Sequence, residues 1–233
     1  MFGLKKMHTA FETWNQKREP LESVEARIHD HVPLDKLHDR AHGYVNTMIA
    51  FFPQAMPRRT DVVLEIGPGV GYIMQAIVNR LVPAKIIGLD VAPAMIEHAK
   101  ARLVRDNVDA TNWSFEQYDG ITMPFEDHSI DFIYSVACLQ HIPKAHVYNL
   151  FSEMLRVLKD GYVCIHLLAF SFLPKQTKPF AEEVADQLNG RTHHWLHYYA
   201  KDELIHVLAA LGAADVNVTE HDGSLWAIFR RPR

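Results

Sequence analysis

Between residues 62 and 229 short apolar runs alternate with longer stretches whose apolar residues recur every three to four positions, so strands alternate with helices. Val62-Val63-Leu64 with Ile66 reads as a strand buried on both faces, and a helix over 72–80 follows a glycine turn. Lys85 to Asp90 is a second strand, and the helix after it opens at Pro93. Trp113–Tyr118, Phe132–Ala137 and Tyr162–Leu168 are strands three to five. A helix over Val147–Lys159 is stopped by Asp160-Gly161. A last crossover helix opens within Tyr199–Leu204 and ends at Leu211-Gly212, and Val216–Glu220 and Leu225–Phe229 form a hairpin through His221-Asp222-Gly223-Ser224. The pattern predicts an α/β fold: a Rossmann-like, seven-stranded, mostly parallel sheet with helices on both faces and a C-terminal antiparallel hairpin.

Two segments stand outside that alternation. Residues 1 to about 57 read as a helical N-terminal extension or cap, with one segment at Phe11 and Trp14, one after Pro20 through Val24 and Ile28, and one from Asp35 to Phe52. In the third, Leu34, Leu37, Ala41, Tyr44, Val45, Met48 and Phe52 recur at helical spacing, a face that would cover the sheet edge or cap a substrate pocket. The cofactor-binding domain then spans 58–233, interrupted by a lid-like insertion at 171–200.

Composition narrows the function. With 233 residues, 48% of them hydrophobic, the chain has ample core for one domain with additions. The net charge is −4, and Lys and Arg are scattered apart from Arg230-Arg231-Pro232-Arg233, so no nucleic-acid footprint is expected. The first residues, Met-Phe-Gly-Leu-Lys-Lys-Met-His, lack a long apolar stretch, which predicts a cytoplasmic protein without a membrane segment. Cys138 and Cys164 lie in apolar runs that read as strands and form no C-x-x-C pair, so both are expected as reduced core residues.

The chemistry concentrates at Glu65-Ile66-Gly67-Pro68-Gly69-Val70-Gly71. Glycine there allows a tight turn and close approach to a ligand. A dinucleotide site needs a third glycine where this chain has Tyr72, which disfavours a nicotinamide oxidoreductase. The order E-x-G-x-G-x-G resembles motif I of the class I S-adenosylmethionine (SAM) methyltransferases. Gly88-Leu89-Asp90-Val91-Ala92-Pro93-Ala94-Met95 resembles that family's second motif, with Ala92 in place of a small hydroxyl residue. Met123-Pro124-Phe125 through Asp131-Phe132, the segment Cys138-Leu139-Gln140-His141-Ile142-Pro143, and Arg156-Val157-Leu158-Lys159-Asp160-Gly161-Tyr162 resemble later family segments. In the last of these Asp160 and Tyr162 replace proline and glycine.

The resemblance implies a SAM site built from Glu65, Gly67, Gly69, Gly71 and Tyr72 at the first turn. Asp90, Val91 and Met95 would follow on the ribose side, Asp119 and Gly120 beside the adenine amino group, and Val136 at the end of strand four. It implies a methyltransferase yielding S-adenosylhomocysteine, acting on a small molecule, with no nucleic-acid or membrane partner, as monomer or homodimer. O- or N-methylation profits from a general base, for which His141 and His166 are the candidates. C-methylation of quinone type and a non-catalytic SAM-binding module remain open. Of the fifteen histidines, His193, His194 and His197 with Trp195 and Tyr198 are candidates to line an acceptor pocket, and His38 with His42 lacks a third ligand, so no metal site is expected.

Overall fold

The computed structural model describes residues 19–29, 32–172 and 196–232. The expected helix at Phe11 and Trp14, the segment near 182–188, and His193, His194 and Trp195 lie outside the described residues. The strands are β1 (Val62–Ile66), β2 (Lys85–Asp90), β3 (Trp113–Gln117), β4 (Ile130–Val136), β5 (Leu158–Leu168), β6 (Ala214–His221) and β7 (Ser224–Arg230). They form one sheet in the order β3-β2-β1-β4-β5-β7-β6. All neighbours through β5 are parallel, whereas β7 is antiparallel to both β5 and β6. The hairpin turns at Asp222 and Gly223, with φ of 46° and 71°, a left-handed pair whose twist suits two antiparallel strands.

Among the described residues six α-helices cover this sheet: α1 (Leu21–Ile28), α2 (Leu37–Phe51), α3 (Tyr72–Leu81), α4 (Pro93–Arg105), α5 (Lys144–Val157) and α6 (Lys201–Ala210). Successive residues of β1 point to opposite faces, and both faces are covered. Val63 joins a core with Val45 and Met48 of α2 and Ile77 of α3. Leu64 joins one with Leu150 and Met154 of α5 and Leu208 of α6. This explains why β1 is apolar at consecutive positions rather than alternating. Each such side chain contributes about 1.5–3 kcal/mol relative to exposure. The described part of the N-terminal segment therefore shares a core with the sheet, α2 packing on α3 and α1 on α4.

The helix before β5 corrects one expectation. Asp160-Gly161 does not stop α5; the helix ends at Val157, and Leu158 already begins β5. Pro143 starts that helix at Lys144, three residues before its apolar periodicity becomes visible. Gly161 lies within β5 because a Cβ there would sit 1.7 Å from the carbonyl oxygen of Asp131, beside the register shift between Ile130 and Phe132. Its glycine marks close backbone approach between strands, which looks like a helix stop in sequence alone.

Candidate cofactor and active site

Strand order reverses at β1, whose neighbours are β2 and β4, so the crevice beyond its carboxyl end is where an open α/β sheet accepts a ligand. The chain turns there through Gly67 and Gly69, with φ of 67° and 55°, and Gly71 at 82° begins α3 without a side-chain cap. The Gly67 N–H donates to the Leu89 carbonyl at 2.9 Å, the Gly71 N–H donates to that of Pro68 at 2.8 Å, and Ser135 Oγ donates to Ile66 O at 2.9 Å. A Cβ on Gly67 would lie 2.0 Å from Cys138 Sγ. Cys138 thus corrects the expectation of a strand residue: it follows β4 and presses on the glycine turn, while Cys164 is buried in β5 as expected.

Beneath the turn lies a charged network absent from the sequence reading. Arg102 of α4 is fully buried, with Nε donating to Val70 O at 2.5 Å, Nη2 to Gly71 O at 2.7 Å, and Nη1 to Gln75 and Asp106. Its guanidinium carbon stands 4.1 Å from the Tyr72 ring centroid. The Tyr72 hydroxyl donates to Glu25 at 2.8 Å, and the same carboxylate accepts two bonds from Arg105. Burial works to raise the Glu25 pKa, but the bonds from Arg105 and Tyr72 outweigh it and hold the group below the usual carboxylate value. The cofactor turn, α4 and α1 are joined through six side chains.

The ends of β1, β2 and β4 enclose, with α1 and α2, a cavity of about 170 Å³. Among the sequence-predicted residues, Glu65, Gly67, Gly69, Tyr72, Asp90, Val91, Met95, Val136 and His141 line it. Gly71, Asp119, Gly120 and His166 are not in its wall. Gly71 caps the start of α3, and the Asp119 carboxylate accepts the N–H groups of Ile121 and Thr122, both at 2.9 Å, beside the cavity residue Tyr118. Asp90 accepts the Ala92 N–H at 2.9 Å, and burial raises its pKa to about 6. Glu65 is buried, and its Oε2 has no hydrogen-bond partner among the described residues. Burial pushes its pKa to about 8, with the Asp90 charge adding, against the opposing pull of the Tyr134 hydroxyl and Arg102. An orphaned buried carboxyl and a second carboxyl at the next strand end fit a cofactor bearing cationic and hydroxyl groups.

His141 ends the short 3₁₀ turn Leu139–His141 after β4 and faces the cavity. The His197 N–H donates to the Gln140 carbonyl at 2.7 Å, bringing the described end of the 171–200 insertion against that turn. His166 is 5% exposed in β5, wedged between Tyr44 at 5.2 Å and Trp226 at 4.8 Å between ring centroids. Burial, and then the Arg40 charge, lower its pKa to about 4. His38 pairs with Asp106 at 3.2 Å and stands edge-on to Tyr72, while His42 is exposed. The cavity residues that sequence reading did not assign to a site are chiefly Ile28, His29 and Arg40. The helical stripe of α2 gave a partial signal through Leu37, Ala41 and Tyr44; α1 gave none, since Glu25 meets partners 47 and 80 residues away.

A parallel sheet closed by an antiparallel hairpin, with a glycine turn at the reversal point, defines the fold of class I methyltransferases. Residues 63–161 match the family model described as a methyltransferase domain. Phosphoethanolamine N-methyltransferase 2 of Caenorhabditis elegans is 30% identical over 101 residues, covering 43% of this chain and 22% of that protein. Malonyl-(acyl-carrier protein) O-methyltransferase of Marinomonas sp. is 27% identical over 161 residues, 69% of this chain and 54% of that one. The chain thus matches about a fifth to a half of the length of these curated relatives. Magnesium protoporphyrin IX methyltransferase of Synechocystis PCC 6803, solved with bound S-adenosylhomocysteine, shares the fold with a TM-score of 0.64 at 15% identity, over 97% of this chain and 99% of that one. Residues 63–161 are thus similar to a methyltransferase domain, and the fold is that of solved methyltransferases, one of which holds S-adenosylhomocysteine.

Proposed function

We propose that this protein transfers the methyl group of SAM to an oxygen or nitrogen atom of a small-molecule acceptor, with His141 as general base. Bound SAM supplies a sulfonium whose methyl carbon bonds to the acceptor as the carbon–sulfur bond breaks, its electrons remaining on the thioether product. Glu65 would face the cationic methionine end, Asp90 would accept from the ribose hydroxyls, and Asp119, beside the cavity residue Tyr118, would take the adenine amino group. His141 accepts the proton that the acceptor loses.

The observation carrying this reading is that His141 shares one cavity with Glu65 and Asp90, just beyond β4. His166 suits the role less, because Tyr44 and Trp226 crowd its ring and it is outside the cavity wall. Residues 1–57 serve in this reading as a cap over the cofactor domain, since α1 and α2 supply one side of that cavity. Two free thiols accord with a reducing, cytoplasmic setting. No helix among the described residues is long and apolar enough to cross a membrane.

The test is a metabolite panel with SAM, read by mass gain, followed by kinetics of His141→Ala on the acceptor found. Turnover should fall by about two orders of magnitude with SAM affinity nearly intact. Equal turnover in variant and parent removes the base assignment, and SAM binding without any methylated product assigns a binding module instead.

A further inference from the structure

We infer that the methyl acceptor carries a carboxylate, held by Arg40 and His29 on the wall that α1 and α2 give to the cavity. This rests on the reading of that cavity as the methyl-transfer site. It adds the class of acceptor.

The cavity is electrically divided. Its described carboxylates, Glu65 and Asp90, stand at the ends of β1 and β2, and its one permanent cation among the described lining residues is Arg40 of α2. Arg40 comes from α2 and the two carboxylates from the ends of β1 and β2, so the two signs belong to different walls of the cavity. The cofactor's ammonium and sulfonium suit the carboxylate end, and unchanged S-adenosylhomocysteine affinity in Arg40→Met separates an acceptor carboxylate on Arg40 from the cofactor's own.

Arg40 is exposed and is held by Tyr44. Its Nη2 donates to the Tyr44 hydroxyl at 3.2 Å, and its guanidinium carbon lies 5.6 Å from that ring's centroid. Among the described residues no carboxylate stands within ion-pairing distance of it. His29, at the C-terminal end of α1, lines the same wall, and its buried Nε2 has no hydrogen-bond partner among the described residues. Burial and the Arg40 charge lower the pKa of that imidazole to about 4, so near pH 7 it is neutral and offers one N–H to the same cavity. Ile28, Leu37 and Ala41 add apolar lining to the cavity.

One guanidinium and one neutral N–H balance a monoanion. A phosphate dianion would be left with uncompensated charge against an apolar wall. The planar fork matches a carboxylate in bidentate geometry. An acceptor with a carboxylate at one end and apolar carbon next to it fits this wall.

The experiment titrates the S-adenosylhomocysteine complex with hexanoate, octanoate, benzoate and phenylacetate, each against its own primary amide, and with phenyl phosphate. At least one acid should bind about tenfold or more tightly than its amide. Arg40→Met should abolish that preference and His29→Phe weaken it, with S-adenosylhomocysteine affinity changed little in either. The inference is overturned if no acid exceeds its amide, if the preference survives Arg40→Met, or if phenyl phosphate binds more tightly than every acid. Failure of S-adenosylhomocysteine itself to bind would instead bring down the reading of the cavity on which the inference rests.

Discussion

Replacing Glu65 by glutamine isolates what a buried acid does to the empty protein. Burial moves the Glu65 pKa from an ordinary 4.5 to about 8, so between those values the folded protein holds a proton that the unfolded chain has lost. A carboxyl shifted in this direction contributes its full stability below the unfolded pKa, and the contribution is lost as pH rises through the folded one. At about 1.4 kcal/mol per pKa unit, raising the pH from about 6 to about 8.5 costs the ligand-free protein roughly 2–3 kcal/mol through this group. Glutamine has nearly the shape of the neutral acid and does not titrate. For a chain of this size that difference corresponds to about 5–10 °C in Tm. Melting of parent and Glu65→Gln by circular dichroism at both pH values should show the parent losing that much more on going to the higher pH. Saturating SAM should reverse the order by stabilising the parent more, because a cation beside the carboxylate offsets its burial. Parallel pH dependence of the two Tm values would refute the assignment of a strained, buried acid.

Two further substitutions probe the scaffold around the turn. Gly67→Ala places a methyl group 2.0 Å from Cys138 Sγ at a left-handed φ of 67°, so it should cost about 2–4 kcal/mol and abolish S-adenosylhomocysteine binding; a Tm unchanged from the parent would contradict the packing described. Glu25→Ala removes the acceptor of three hydrogen bonds from Tyr72 and Arg105, and about 2 kcal/mol should be lost, with faster hydrogen exchange confined to α1 and the first turn of α3. Because the Glu25 pKa is lowered in the folded state, this contribution should be present above the ordinary 4.5 and fade as pH falls below it. Exchange rates in α1 that match the parent would show that Glu25 does not anchor it.

The sheet was legible in the sequence because its signal is local. β1, β2 and the Asp222-Gly223 hairpin follow from apolar runs and turn residues within a few positions of one another. The β5 boundary was not, because Gly161 answers to the Asp131 backbone thirty residues earlier and not to its own helix. At the site, the acids at strand ends could be named from motif order. Arg102 could not, since within Ala99-Lys100-Ala101-Arg102-Leu103 it resembles one more basic residue on a solvated helix face, and only the fold brings it under Val70 and Gly71. His166 shows the reverse case. Its chemistry suits the site, yet the fold encloses it between aromatic rings.

The central claim is that the crevice at the ends of β1, β2 and β4 is the SAM site, and Asp90 tests it most directly. Calorimetric titration of the parent with S-adenosylhomocysteine should give a saturable heat at one equivalent. Asp90→Ala should bind about ten- to a hundredfold more weakly, through loss of charge-assisted bonds to the ribose, while melting no lower than the parent without ligand. No heat with the parent, or equal affinity in Asp90→Ala, would contradict it.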